Sequence, residues 1–211
     1  MRRLITKRKT FSLMIIMAIC AITTKTSAAE EIKNYKGTPF KKLEIPGTIE
    51  AEDYDNGGSD IAYKFKNGKD GNNKQYREDK GVSLNKNGQK TFIGHTSSGD
   101  WTNYTVNVMQ DGVYTIETFC VSGSGNGRFF FELDGEPVCK LQNAPDDNWN
   151  NLSCSVKTDG VRIKKGKHIL KWYTYGGMNI DKFTFTRTGD LIGNNTKPGG
   201  FDYTYPIITR Q

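Results

Sequence analysis

The chain has 211 residues, with 30 Lys and Arg against 23 Asp and Glu, a formal charge of +7. Six of the basic residues and none of the acidic ones lie in residues 1–28, so the remainder holds 24 basic against 23 acidic residues, a charge of +1. That balance removes the compositional support for a nucleic-acid partner and for a polybasic membrane-binding face.

Residues 1–28 read as a secretory signal peptide. Arg2, Arg3, Lys7, Arg8 and Lys9 form a basic start, Phe11 to Ile22 an apolar run, and Thr26-Ser27-Ala28 a small-residue cleavage site. The run is too short for a membrane span. Ile19 before Cys20 argues against a lipid anchor there. The expectation is a secreted bacterial protein, extracellular, periplasmic or on the cell surface.

Residues 29–42 are polar and without period, and read as a leader. From Leu43 the pattern becomes strand, turn, strand. Turn signals include Asn56-Gly57-Gly58, Asn87-Gly88, Asp111-Gly112, Asp134-Gly135 and Gly176-Gly177. Between them Tyr104, Val106 and Val108 alternate with Thr105 and Asn107. Tyr114, Ile116 and Cys120 share a face, as do Phe129, Phe131 and Leu133, and Leu152, Cys154 and Val156. Short β-branched and aromatic strands at this spacing predict an all-β sandwich over residues 43–187. Residues 188–211, with Gly193-Asn194-Asn195 and Pro198-Gly199-Gly200, read as a C-terminal tail or linker. Beyond the signal the chain holds Cys120, Cys139 and Cys154, which fit either one disulfide with a spare thiol or three buried cysteines.

Little in the chain suggests catalysis. His95 and His168 are the only histidines. No zinc-type spacing, nucleophile elbow, phosphate-binding loop or dinucleotide fingerprint occurs. His168 shares parity with Leu170 and Trp172 and reads as a packed or rim residue. Glu50 and Glu52, two apart in a strand, face one side about 6–7 Å apart. They fit a solvated polar face, a glycosidase acid/base pair, or ligands to a hard cation such as calcium. Asp181 has the core-side parity of Phe183 and Phe185, where an unpaired carboxylate is costly. A cation shared with Glu50 and Glu52 offsets that cost if the first and last strands are neighbours.

The tryptophans separate by parity. Trp172 goes with Leu170 into the core. Trp149 follows the polar loop Asn143–Asn148 with the parity of Asn151 and Ser153, opposite Leu152. That placement suits a platform for the apolar face of a sugar ring, or an indole covered by a neighbouring loop. Trp101 is out of parity with Tyr104 and Val106, which suits a bulge, a core-edge contact or a second platform.

Ile49-Glu50-Ala51-Glu52-Asp53-Tyr54 resembles the opening of the family 6 carbohydrate-binding modules. Gln75-Tyr76-Arg77 with Gly81-Val82, and Ile93-Gly94-His95 followed by Ser98-Gly99-Asp100-Trp101-Thr102-Asn103-Tyr104, resemble later blocks. Asp111-Gly112-Val113-Tyr114, the Trp149 loop and Gly176-Gly177-Met178-Asn179-Ile180-Asp181-Lys182-Phe183 follow in order. The resemblance covers about residues 43–187. It implies a jelly-roll β-sandwich, galactose-binding-domain-like, with a structural calcium on Glu50, Glu52 and Asp181. It further implies a loop-edge sugar site of His95, Trp149 and Asn179, with a second site on the concave sheet face at Trp101. His95 stands where the family usually has Tyr or Trp; its ring stacks more weakly but also hydrogen-bonds. The functional expectation is non-catalytic binding of a polysaccharide or oligosaccharide, with a glycoside hydrolase acting alongside. The alternatives are a structural or protein-interaction sandwich without sugar binding, and a glycoside hydrolase using Glu50 and Glu52.

Overall fold

The computed structural model describes residues 32–69, 71–72, 76–77 and 79–191. The expected signal peptide, the first residues of the leader, Gln75 and the tail from residue 192 lie outside the described residues. Among those described, thirteen strands follow one another. The first seven are β1 Leu43–Ile45, β2 Gly47–Glu50, β3 Tyr63–Lys64, β4 Leu84–Asn87, β5 Lys90–Ile93, β6 Trp101–Val108 and β7 Gly112–Val121. Then come β8 Arg128–Leu133, β9 Glu136–Pro137, β10 Gln142–Asn143, β11 Ser155–Ile163, β12 Gly166–Tyr175 and β13 Asn179–Gly189. A short 3-10 turn, Ala51–Asp53, separates β2 from β3.

The strands form two sheets. One has the order β1-β6-β12-β8-β10, with β3 added on β6 and β9 on β8. The other has the order β11-β7-β13-β5-β4, with β2 added on β13. β6 and β7 are consecutive in the chain yet lie in different sheets, so the chain crosses between layers, as in a jelly-roll sandwich. β2 pairs antiparallel with β13, Glu50 opposite Lys182. The first and last strands of the second sheet's core are therefore neighbours.

Strand alternation drives this arrangement. Tyr104, Val106 and Val108, Phe129, Phe131 and Leu133, and Leu170 and Trp172 point inward from the first sheet and are buried. Tyr114, Ile116 and Cys120 of β7 and Phe183 and Phe185 of β13 meet them. Phe183 packs edge-on against both Tyr104, at 5.5 Å, and Phe131, at 5.1 Å. It thereby joins the sheets at their middle. The outer face of β6 is also covered: buried Asp55 accepts from the Thr105 amide at 2.9 Å and the Tyr35 hydroxyl at 2.9 Å.

Residues 35–41, aperiodic in sequence, lie against this core. Thr38 bridges Asn56, and the Lys41 ammonium pairs with Asp53 at 2.9 Å. One expected strand is shorter than its pattern. Leu152 lies in a turn and β11 begins at Ser155. Asn148 Oδ1 accepts from the Asn150 amide and Asn151 Nδ2 donates to Asp147, so asparagine side chains stabilise a turn that competes with the strand. Leu152 is buried instead with Phe92 and Val121 outside the second sheet. Cys154 faces Cys120 across a backbone bond of 3.0 Å, and no disulfide is present among the described residues. No described helix is long and apolar enough to cross a membrane.

Candidate functional site

One end of the sandwich gathers the loops at residues 94–99, 122–127, 144–154 and 175–178. Ser122 Oγ donates to Gly177 O at 2.7 Å and accepts from the Gly127 amide at 3.0 Å. Thr96 Oγ1 accepts from the Met178 amide at 2.8 Å. Three loops are thus tied to one another by hydroxyls.

Trp149 lies on this floor, 40% exposed. Its indole crosses two glycines. A Cβ on Gly123 would fall 2.4 Å from Trp149 Nε1, and one on Gly177 would fall 3.3 Å from the far ring carbon Cη2. The absence of side chains there lets the ring lie flat against backbone. Trp149 is in the turn rather than the strand, so its exposure comes from the turn and not from strand parity.

Asn179, at the start of β13, is 9% exposed and donates through Nδ2 to Trp149 O at 2.8 Å. Its Oδ1 faces Gly94, where an added Cβ would meet it at 2.8 Å and would meet Asn85 Nδ2 at the same distance. His95 follows Gly94, exposed, with φ +50. That left-handed conformation is uncommon outside glycine. The structure therefore places His95, Trp149 and Asn179 at one end of the molecule. Asn85, buried beside them, was not singled out by the sequence, because its polar side chain carries no motif.

Trp101 lies elsewhere, on the outer face of the first sheet. Its ring centroid is 6.4 Å from that of Tyr173, and Tyr173 stacks on Phe130 at 5.0 Å with planes 2° apart. Phe130 and Tyr175 are 6.1 Å apart. The Lys171 ammonium sits 4.8 Å from the Trp101 centroid and 5.4 Å from that of Tyr173. The outward parity of Phe130 and Tyr173, opposite to Phe131 and Trp172, was the available sequence signal.

The three acidic positions form another group. Asp181 is the extra residue of a β-bulge, since Ile180 pairs with Cys120 and Lys182 with Phe119. It is 2% exposed, and its Oδ2 is 3.1 Å from Lys90 Nζ. Glu52 lies in the 3-10 turn, 5% exposed, and its Oε2 has no hydrogen-bond partner among the described residues. Burial, and then the charges of Asp53, Glu50 and Asp181, push the Glu52 carboxyl up to about 8. Burial and then Asp181 also raise Glu50. Among the described residues, no three acidic, histidine or cysteine side chains converge to metal-binding spacing as they stand. The donor set is nonetheless that of a hard cation: carboxylates, one of them buried with an oxygen left unpaired.

His168 is a rim residue, its Nδ1 2.6 Å from Asp134 Oδ2 and its Nε2 2.9 Å from Lys164 O.

The model of the family described as carbohydrate binding module (family 6) matches residues 72–187. No curated protein matches. Among solved structures, the C-terminal family 6 module of LamC, a marine laminarinase from Zobellia galactanivorans, is 24% identical. The alignment covers 67% of this chain and 98% of that one, with a TM-score of 0.48. A module from Cellvibrio mixtus lichenase 5A, in complex with cellotriose, is 22% identical over 68% and 98% of the two chains, TM-score 0.48. A family 6 module from Clostridium cellulolyticum, in complex with xylose, is 19% identical over 69% and 100%, TM-score 0.50. The last of these shows the sandwich fold.

Proposed function

The chain belongs to the family 6 carbohydrate-binding modules, and on that premise we propose that it holds a glycan at the loop end of the sandwich without transforming it. The observation that carries this reading is the Trp149 indole, exposed, laid flat over Gly123 and Gly177, and anchored by Asn179. An indole face takes the apolar C–H face of a sugar ring. The free N–H of Asn179 Nδ2 and its Oδ1 orient the hydroxyls. His95 borders the ring, adding a hydrogen bond and less stacking area than Tyr or Trp.

The outer-face row of Trp101, Tyr173 and Phe130 is a second platform in the same proposal. Calcium is proposed as a structural cofactor. Glu50, Glu52 and Asp181 would hold it, and its charge would relieve the buried carboxylates; Glu52 Oε2 supports this assignment. The protein is proposed to work outside the cell, beside a glycoside hydrolase.

The test is a glycan-array and insoluble-polysaccharide screen of the full chain, wild type beside Trp149→Ala, with calcium present. Binding that is lost in the variant establishes the loop-end site. A folded wild type that binds no glycan overturns the proposal and leaves a structural or protein-binding sandwich.

A further inference from the structure

Strand register sets four residues in a line across the outer face of the first sheet. Lys64 of β3 is opposite Trp101, Trp101 is opposite Tyr173, and Tyr173 is opposite Phe130. At a strand spacing of about 4.8 Å the line runs for about 14 Å. It is aromatic in the middle and cationic at one end. Lys171, two residues along β12 on the same face, holds its ammonium over the Trp101 and Tyr173 rings. Arg128, exposed, lies opposite Tyr175.

Beyond Lys64 the chain enters a pocket of about 370 Å³ whose lining includes Phe65, Lys66, Lys69 and Lys80. The Lys66 amide donates to Asp100, the residue before Trp101, so pocket and aromatic row are structurally joined. Lys64, Lys171 and Arg128 thus stand on this face, and three further lysines line the pocket beside it. Among the described residues, the acidic side chains on or beside this face include Glu132, opposite Lys171 and 7% exposed, Asp60, 3.5 Å from Lys64, buried Asp100, Asp79 next to Lys80, and Glu44 opposite Asn107. Residues 29–211 carry almost no net charge, so this is segregation of charge and not an overall excess.

The loop end is the opposite. Residues 94–99, 122–127, 146–151 and 175–179 contain no Lys or Arg, although exposed Arg128 follows Gly127 directly and lies opposite Tyr175, on the border of the two faces; Asp146 and Asp147 stand exposed beside Trp149.

From this contrast we infer that the outer face of the first sheet takes an anionic glycan, one bearing carboxylate or sulfate ester groups, and that the loop end takes a neutral one. The inference rests on the proposed glycan-binding function. Sugar rings lie across the row formed by Trp101 and the stacked Tyr173 and Phe130 rings, and their acidic groups reach Lys64, Lys171 and the lysine-lined pocket. An ammonium held against ring faces is partly stripped of water, which strengthens its attraction to an incoming anion. The same anion at the loop end would meet two carboxylates.

The experiment measures binding of the full chain to four oligosaccharides: an oligogalacturonate, a sulfated carrageenan fragment, and neutral laminarin and cellulose fragments. Polyglutamate serves as the non-sugar polyanion. At least one anionic glycan is expected to bind more tightly than both neutral ones at the outer face. Its affinity should fall about tenfold or more between 0.1 and 1 M salt, as the Debye length shrinks from about 10 Å to about 3 Å. Tyr173→Ala should abolish that binding, Lys171→Gln should weaken it at least about fivefold, and Trp149→Ala should leave it unchanged. Whether the carboxylated or the sulfated fragment binds identifies the source of the charge. Three results overturn the inference: anionic binding no tighter than neutral, unchanged affinity in Lys171→Gln, or polyglutamate binding as tightly as the glycan. Trp149-dependent neutral binding without anionic binding sinks this inference alone. A folded chain that binds none of the sugars sinks the proposed function with it.

Discussion

Asn179 donates its side-chain amide to the backbone carbonyl of Trp149 at 2.8 Å. One residue therefore both faces the proposed ligand and fixes the loop that presents the indole. Asn179→Ala should cost about 1 kcal/mol of stability through the lost bond, and more in affinity, because the Trp149 loop loses its anchor. Asn179→Asp should bind worse than Asn179→Ala: its carboxylate places an acceptor against an acceptor. Thermal melts beside titration calorimetry check both, and an Asp variant that binds like wild type would refute the anchoring role.

Gly123 tests the floor under the indole. An alanine there would put Cβ 2.4 Å from Trp149 Nε1 and 2.5 Å from Cδ1. The contact is with an exposed side chain, which yields more readily than backbone. Gly123→Ala should therefore displace the ring and weaken glycan binding about tenfold, with little change in melting temperature. A shift in tryptophan emission should accompany the loss. Gly177→Ala, meeting the ring at 3.3 Å, should act in the same direction and more mildly. Equal affinity in both variants would show that ligand does not use this face.

Local pattern carried the layers of the fold, and distance in sequence hid the rest. Tyr104, Val106 and Val108, and Phe129, Phe131 and Leu133, announce their buried face by alternation alone. Leu152 misleads because asparagines at 148, 150 and 151 make a turn that alternation does not register. Asp181 was legible as core-facing, but the bulge that places it requires knowing its partner strand. The Lys64–Trp101–Tyr173–Phe130 line is invisible in sequence, since it exists only in the register of four strands spread over 110 residues. The grouping of His95, Trp149 and Asn179 came from family resemblance, because no local period connects three loops.

Glu52 makes a pH prediction. Burial, Asp53, Glu50 and Asp181 raise its carboxyl from the ordinary 4.5 to about 8 in the folded chain. Below about 4.5 the carboxyl is protonated folded or unfolded and costs nothing. As pH rises from there toward about 8, the unfolded chain gives up the proton while the folded chain keeps it, so Glu52 lowers stability progressively. In chelator, the melting temperature should fall between pH 5 and pH 8. Glu52→Gln should remove most of that slope. Calcium should remove it too and raise the pH 8 melting temperature, if Glu50, Glu52 and Asp181 hold the ion. Melts at pH 8 that ignore both calcium and Glu52→Gln would dismiss the proposed cation site.

Arg77 yields the largest stability prediction. It is 4% exposed, its guanidinium carbon 3.7 Å from the Tyr54 ring centroid and 4.1 Å from that of Phe40. Its nitrogens donate to the carbonyls of Glu52, Tyr54 and Asp55, to Asn56 Oδ1 at 2.9 Å and to Asp79 at 3.2 Å. A flat, forked cation can stack between two rings and reach five acceptors at once; an ammonium, with three donors and no plane, cannot do both. Arg77→Lys should cost about 3–5 kcal/mol, the scale for breaking a buried charged network. Phe40 belongs to the segment before β1, so that segment should loosen first. Limited proteolysis should then cut the variant near residues 35–42 at temperatures where the wild type resists, ahead of global melting. An Arg77→Lys protein that melts with the wild type and keeps this segment protected would show that stacking and the hydrogen-bond fork are dispensable.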